Sequence, residues 1–133
     1  MPSAMRPRIS VINDNPEFLE LMAAILDEDA GYEVTLFNEE ETAISEIVGS
    51  RPDLIVVDLL LGGASGWEIV TLSRAHDQLA QVPIIVCSAD VASLRDREEE
   101  LAQIGNVHVL AKPFGIDDLT GMVETLIGVP VNG

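Results

Sequence analysis

Five short runs rich in valine, isoleucine and leucine recur along the chain, at Arg8–Asn13, Glu33–Phe37, Leu54–Asp58, Val82–Ser88 and Val107–Ala111. The segments that follow each run carry their apolar residues at helical spacing. This alternation constrains the fold more than any other feature. Near-continuous apolar strands are buried on both faces, and strand–helix alternation places helices on both sides of a parallel sheet. The expected class is α/β, a doubly wound five-stranded parallel sheet with five helices.

Local punctuation predicts where the helices begin and end. Asn15 is placed to cap a helix and Pro16 suits its first turn. Phe18, Leu19, Met22, Ile25 and Leu26 form one stripe, which Gly31 ends. Asn38 with Glu41 resembles a capping box, and Ala43, Ile44, Ile47 and Val48 face inward from the helix it opens. Pro52 breaks that helix. Ser65 with Glu68 repeats the pattern after the loop Gly62–Gly66 and predicts a helix through about Gln78. Val91–Ile104 predicts a weaker helix, with Leu94, Leu101 and Ile104 on one face and Glu98 interrupting it. Ile116, Leu119, Met122, Val123, Leu126 and Ile127 give the cleanest stripe. No linker or internal repeat divides the chain, so residues 1–133 read as one domain with a core of about 7–128.

Composition narrows the partners. At 133 residues and 47% apolar, the chain can bury a core, and disorder is excluded. Seven basic residues against 23 acidic ones give a net charge of −16. Such a surface repels duplex nucleic acid and anionic membranes, so no direct binding to either is expected. The first eight residues lack the apolar stretch of a signal peptide, and no apolar run approaches the roughly 18 residues of a membrane span. The lone Cys87 excludes an intrachain disulfide framework. The expected location is cytoplasmic.

Ligands of such sheets sit beyond the carboxyl ends of the strands. There the chain places Asn13 and Asp14, then Asp58, then Ser88, then Lys112, its only lysine. Asp58 follows four apolar residues, a position that rarely ends on a carboxylate without compensation. Asp14 and Asp58 would repel one another, and a hard divalent cation relieves that; magnesium, or manganese, suits few carboxylates plus phosphate oxygens. Lys112 brings a compact positive charge and Ser88 a hydroxyl. A carboxylate nucleophile, a metal, a hydroxyl and a lysine together suit aspartyl-phosphate chemistry. Taken singly, each residue has a plainer reading: Asp58 as a cap, Asn13 as a turn residue, Ser88 as a strand end, Lys112 as a surface lysine.

Five segments in order carry a resemblance. They are Val11-Ile-Asn-Asp-Asn-Pro16, Asp53-Leu-Ile-Val-Val-Asp58, Gly66-Trp-Glu68, Pro83-Ile-Ile-Val-Cys-Ser-Ala89 and Lys112-Pro-Phe114. Over nearly its full length the chain resembles the receiver domain of two-component response regulators. The resemblance implies a flavodoxin-like sheet of order 2-1-3-4-5. It implies Asp58 as phosphoacceptor, supplied by a histidine kinase or histidine phosphotransfer protein. Asp14, Asp58 and the backbone carbonyl of Leu60 would hold the metal, with Asn13 joining through a water where the family usually has a second acid. Ser88 matches the switch hydroxyl, and Lys112 the lysine that contacts the phosphoryl group, with a cis bond expected at Pro113. It implies a signalling module rather than an enzyme, whose output is docking to a downstream protein or to a second copy.

Several positions depart from the family pattern. Asn13 withholds one negative charge. Leu61-Gly62 replaces the usual Met-Pro pair. Val109 stands three residues before Lys112, where many receivers carry an aromatic switch, so the signal is expected to leave through the helix after Ser88. Bulky Leu60 stands where it would hinder a water, and small Ala89 leaves room for a phosphoryl group. Asn13 and Val109 motivate an alternative, a pseudo-receiver working as a phosphorylation-independent interaction module. A phosphatase of the haloacid dehalogenase type is a distant third, because Leu60 occupies the place of its second aspartate. The Gly62–Gly66 loop lacks the lysine of a Walker motif. His76 and His108 have no metal-spaced partners, Cys87 reads as a buried hydrophobe, Trp67 as a packing residue, and Arg95 with Arg97 as a solvated face or docking patch.

Overall fold

The structure is a computed structural model that describes residues 7–13, 15–38, 44–58, 64–88, 98–111 and 114–128. For Asp29, Asn38, Asp58, residues 64–68, Ser88, Glu98 and Leu101 it describes the backbone. The strands are β1 (Arg8–Asn13), β2 (Glu33–Asn38), β3 (Leu54–Asp58), β4 (Ile84–Ser88) and β5 (Val107–Ala111). Helix α1 runs as an α-helix over Pro16–Ala23 and continues as a π-helix over Ala24–Asp29. The others are α2 (Ile44–Gly49), α3 (Ala64–Ala75), α4 (Glu98–Ile104) and α5 (Ile116–Ile127). All strand pairs are parallel, in the order β2-β1-β3-β4-β5, as the resemblance implied.

The strands carry apolar residues on both faces, and these form two cores. Ile9, Val11, Leu54, Val56, Ile85, Cys87 and Leu110 belong to one, with Met22, Leu26, Leu119 and Val123 from α1 and α5. Ile12, Ile55, Val57, Ile84 and Val86 belong to the other, with Ile47 from α2 and Ile69 and Val70 from α3. Within β3 alone, Leu54 and Val56 face one way and Ile55 and Val57 the other, the two-residue period of a pleated strand. All four are 0% exposed. Each such side chain contributes roughly 1.5–3 kcal/mol by leaving water.

Most helix signals act as read. Asn15 caps α1, its side chain accepting the Glu17 N–H at 2.9 Å, with Pro16 in the first turn. The π stretch is a departure from the expected regular helix. There the Ala30 N–H reaches back five residues to the Ile25 carbonyl at 3.1 Å. The wider turn accompanies burial of both Ile25 and Leu26, and Gly31, at φ 86, ends the helix. Ile47 is buried from α2 as expected; Ala43 and the capping pair it followed lie outside the described side chains.

Four boundaries and one burial differ from expectation, the first being β2, which runs one residue past Phe37 to Asn38. Helix α3 begins at Ala64, so Ser65 lies inside its first turn rather than at the cap, and it ends at Ala75, short of Gln78. The chain turns there because Leu79 must re-enter the core, where it is 1% exposed. Strand β4 begins at Ile84 rather than Val82, since Pro83 has no N–H for the ladder and offers its carbonyl, to Ile55 at 3.0 Å. In the Val91–Ile104 segment the described helix is Glu98–Ile104, residues 91–97 lying outside the described part. Ile116 belongs to the apolar stripe of α5 by spacing but is 57% exposed, because it opens the helix beyond the edge of the core.

Candidate functional site

Strand register brings the candidate residues to one rim. The last pairs between β1 and β3 are Val11↔Val56 and Ile12↔Val57, so Asn13 and Asp58 each stand one residue further along neighbouring strands. Neighbouring strands lie roughly 4.8 Å apart. Asp58 pairs with Cys87, which places Ser88 one residue further on β4. Ser88 pairs with Ala111, and Lys112 follows Ala111 directly. Four distant stretches of sequence therefore converge at the carboxyl edge of β1, β3, β4 and β5, where a doubly wound sheet takes its ligands.

Asn13 is the member of this rim described in most detail. It is 1% exposed, and its Oδ1 accepts the Asn15 N–H at 2.9 Å. The neutral amide can occupy this position with far less desolvation penalty than a carboxylate. The Asn15 amide was a second anchor that sequence reading missed; its Asn-x-Asn spacing before Pro16 is the signal that marks it. For Asp58 and Ser88 the structure places the backbone, whereas Asp14, Leu60, Ala89, Lys112 and Pro113 lie outside the described residues.

Of the remaining singled-out residues, Cys87 pairs with Asp58 just below the rim, and the others fall away from it or outside the described part. Cys87 is 0% exposed in the first core, as a buried hydrophobe should be. His76 Nδ1 accepts the Gln78 N–H at 3.2 Å in the turn after α3, and His108 Nε2 lies 3.0 Å from Asn106 Oδ1. Val109 is 37% exposed on β5, paired with Val86. The Trp67 side chain, Arg95 and Arg97 lie outside the described part. A groove of about 430 Å³ between β5 and α5 is lined by His108, Asp118, Gly121, Met122, Thr125 and Leu126, and contains none of the strand-end residues.

The donor set suits a hard cation better than a soft one. The strand-end residues Asn13, Asp14, Asp58 and Ser88 are oxygen-bearing types, with no cysteine or histidine among them, and register brings the strand ends at Asn13 and Asp58 side by side. Among the described residues no three His, Cys, Asp or Glu side chains gather elsewhere into a metal-holding group. No described helix is long and apolar enough to cross a membrane.

Residues 9–124 match the response regulator receiver domain family, and the chain belongs to that family. It is a module of two-component signalling with the flavodoxin-like order described above. Among curated relatives, the DNA-binding dual master transcriptional regulator RpaA of Synechocystis is 28% identical over 121 residues, 91% of this chain and 49% of that protein. The transcriptional regulatory protein BaeR of Escherichia coli is 29% identical, over 91% of this chain and 48% of its own length. The chain thus spans about half the length of these relatives. Among solved structures, the chemotaxis response regulator CheY4 of Vibrio cholerae superposes with a TM-score of 0.78 at 22% identity, covering 92% of this chain and 99% of that one. The receiver domain of a Pseudomonas aeruginosa sensor histidine kinase, with magnesium coordinated in its active-site cleft, gives 0.71 at 30% identity, covering 92% and 98%.

Proposed function

We propose that this chain accepts a phosphoryl group on Asp58 from a histidine kinase or a histidine phosphotransfer protein, with magnesium or manganese as cofactor. The observation that carries this reading is the register, which sets Asp58 beside Asn13 on one neighbour and one step behind Ser88 on the other. Membership of the receiver family supports it, as does the magnesium in the Pseudomonas relative's cleft. In the transfer, a carboxylate oxygen of Asp58 attacks phosphorus, the bond from phosphorus to the donor imidazole breaks, and that electron pair leaves with the imidazole. The product is an acyl phosphate.

Each residue then has a task. Asp14, Asp58 and the Leu60 carbonyl would hold the cation, and Asn13 would hold one of its waters. The cation, when bound, supplies positive charge against the phosphoryl oxygens. Lys112 neutralises a second phosphoryl oxygen, and Ser88 donates a hydrogen bond to a third. The whole of residues 1–133 acts as one receiver domain with a core of about 7–128; the family match over 9–124 supports that extent. It works in the cytoplasm as a signalling module rather than a turnover enzyme. Its output is docking to a downstream protein or to a second copy, without direct contact to nucleic acid or membrane.

The test is intact mass. With magnesium and acetyl phosphate or a cognate kinase, the parent should gain one phosphoryl group and Asp58→Asn should gain none. An unlabelled parent under both donors would sink the reading and leave an interaction module in its place.

A further inference from the structure

The pole of the sheet opposite the rim carries an arrangement that the phosphoacceptor reading does not use. Arg74, in the last turn of α3, donates from all three guanidinium nitrogens to backbone carbonyls. Nε reaches the Gly105 carbonyl at 3.1 Å, Nη2 that of Asn106 at 3.0 Å, and Nη1 that of Leu79 at 3.0 Å. One side chain thereby ties the turn after α3 to the turn between α4 and β5. Burial disfavours its charge and lowers its pKa, so these carbonyls are what stabilise the cation there.

The turn that Arg74 grips has an unusual backbone. Gly105 and Asn106 are both left-handed, at φ 78 and 54. Asparagine tolerates that region, and further bonds hold it. Asn106 Nδ2 donates to the Gln81 carbonyl at 3.3 Å, and its own carbonyl accepts the Ile84 N–H at 3.1 Å. Glu99, Glu100, Ala102 and Gln103 are exposed, and Ile104, at the end nearest the turn, packs half-buried on the second core.

We propose that Arg74 makes the Gly105–Asn106 turn a fixed pivot. It links the far ends of α3 and α4, so that α4 answers a change at the Ser88 end of β4 by swinging about its own C-terminal end. Both helices follow strands that end on the rim, at Asp58 and Ser88, and both are tied at the opposite pole by the same guanidinium. A sliding α4 would have to release these charged hydrogen bonds; a swinging one keeps them. The swing rests on Asp58 as the phosphoacceptor, whereas the pivot stands on the hydrogen bonds alone. Arg74 is a positioning residue in this scheme and touches neither the phosphoryl group nor the metal.

Amide hydrogen exchange on the whole chain tests it, in the parent, Arg74→Lys and Arg74→Met, with and without beryllium fluoride plus magnesium as a phosphoryl stand-in. A single ammonium cannot span the three carbonyls. In the free state both variants should exchange at least about tenfold faster at Ile84 and residues 103–107, tenfold being the loss of roughly one charged hydrogen bond, with β1 and β3 unchanged. On adding beryllium fluoride, the parent should change over residues 98–102 and stay constant over 103–107, while in the variants the change should run through 107. Parent-like exchange at 103–107 in both variants overturns the pivot. So does a parent whose residues 103–107 respond as strongly as 98–102. A parent that neither responds nor takes phosphoryl mass overturns the phosphoacceptor reading instead, and the free-state exchange then decides the pivot. If the variants fail to fold, the parent's own pattern decides.

Discussion

The backbone N–H of Asn15 donates to Asn13 Oδ1 at 2.9 Å, so the last side chain of β1 is held by the residue that caps α1. Asn13 is thereby fixed at the rim with its neutral amide buried. Exchanging it for aspartate keeps the acceptor for Asn15 and adds a charge. Beside Asp14 and Asp58, Asn13→Asp should lower the melting temperature without a divalent cation, because a buried carboxylate near like charges is disfavoured. Magnesium should restore it, with an affinity about tenfold above the parent's from the added charge at short range. Magnesium titration followed by Trp67 fluorescence and by thermal melting checks both. Equal affinity in the two proteins would remove Asn13 from the proposed metal shell.

Tyr32 ties the end of α1 to the end of α5. Its ring is buried in the first core, and its hydroxyl donates to the Gly128 carbonyl at 2.7 Å. Burial, and secondarily the charge of Glu124, raise its pKa above the ordinary 10.0. A phenol whose pKa is raised by folding binds its proton more tightly in the native state. Its stabilising effect is full below pH 10 and is lost as pH rises through the native value. Tyr32→Phe should cost about 1 kcal/mol at neutral pH and flatten the fall in stability above pH 10. Urea unfolding at several pH values measures both.

Ser73 lies at 0% exposure on α3, and its Oγ has no hydrogen-bond partner among the described residues. An orphaned buried hydroxyl costs free energy that a methyl group does not. Ser73→Ala should therefore raise stability by about 1 kcal/mol, seen as a higher urea midpoint at unchanged slope. A lower midpoint would mean that the hydroxyl has a partner in solution.

Arg51, between α2 and β3, is left-handed at φ 51. A side chain there carries a penalty of roughly 1–2 kcal/mol, which glycine avoids at a smaller entropic cost. Arg51→Gly should raise stability by about 0.5–1 kcal/mol in the same urea experiment.

Much of this molecule was legible from local patterns. The ends of β1, β3 and β5 stand where their sequences place them, and Asn15-Pro16 opens α1 as its chemistry demands. The end of β3 was likewise legible, because a carboxylate after the four apolar residues Leu54–Val57 is a local anomaly. Boundaries failed at both ends of α3. Ser65 looks like a cap, yet α3 starts at Ala64, and its end yields to the burial of Leu79.

The sequence by itself determined the class of fold, the five strands and the residues that stand at their carboxyl ends, since period and punctuation act between residues a few positions apart. Tertiary structure decided the rest. Only strand order and register make Asn13, Asp58 and Ser88 neighbours, and only packing widens α1 into a π turn or leaves Ile116 in solvent. Arg74 shows the difference most plainly. Its three partners lie 5, 31 and 32 residues away and become partners when the sheet brings two turns to one pole.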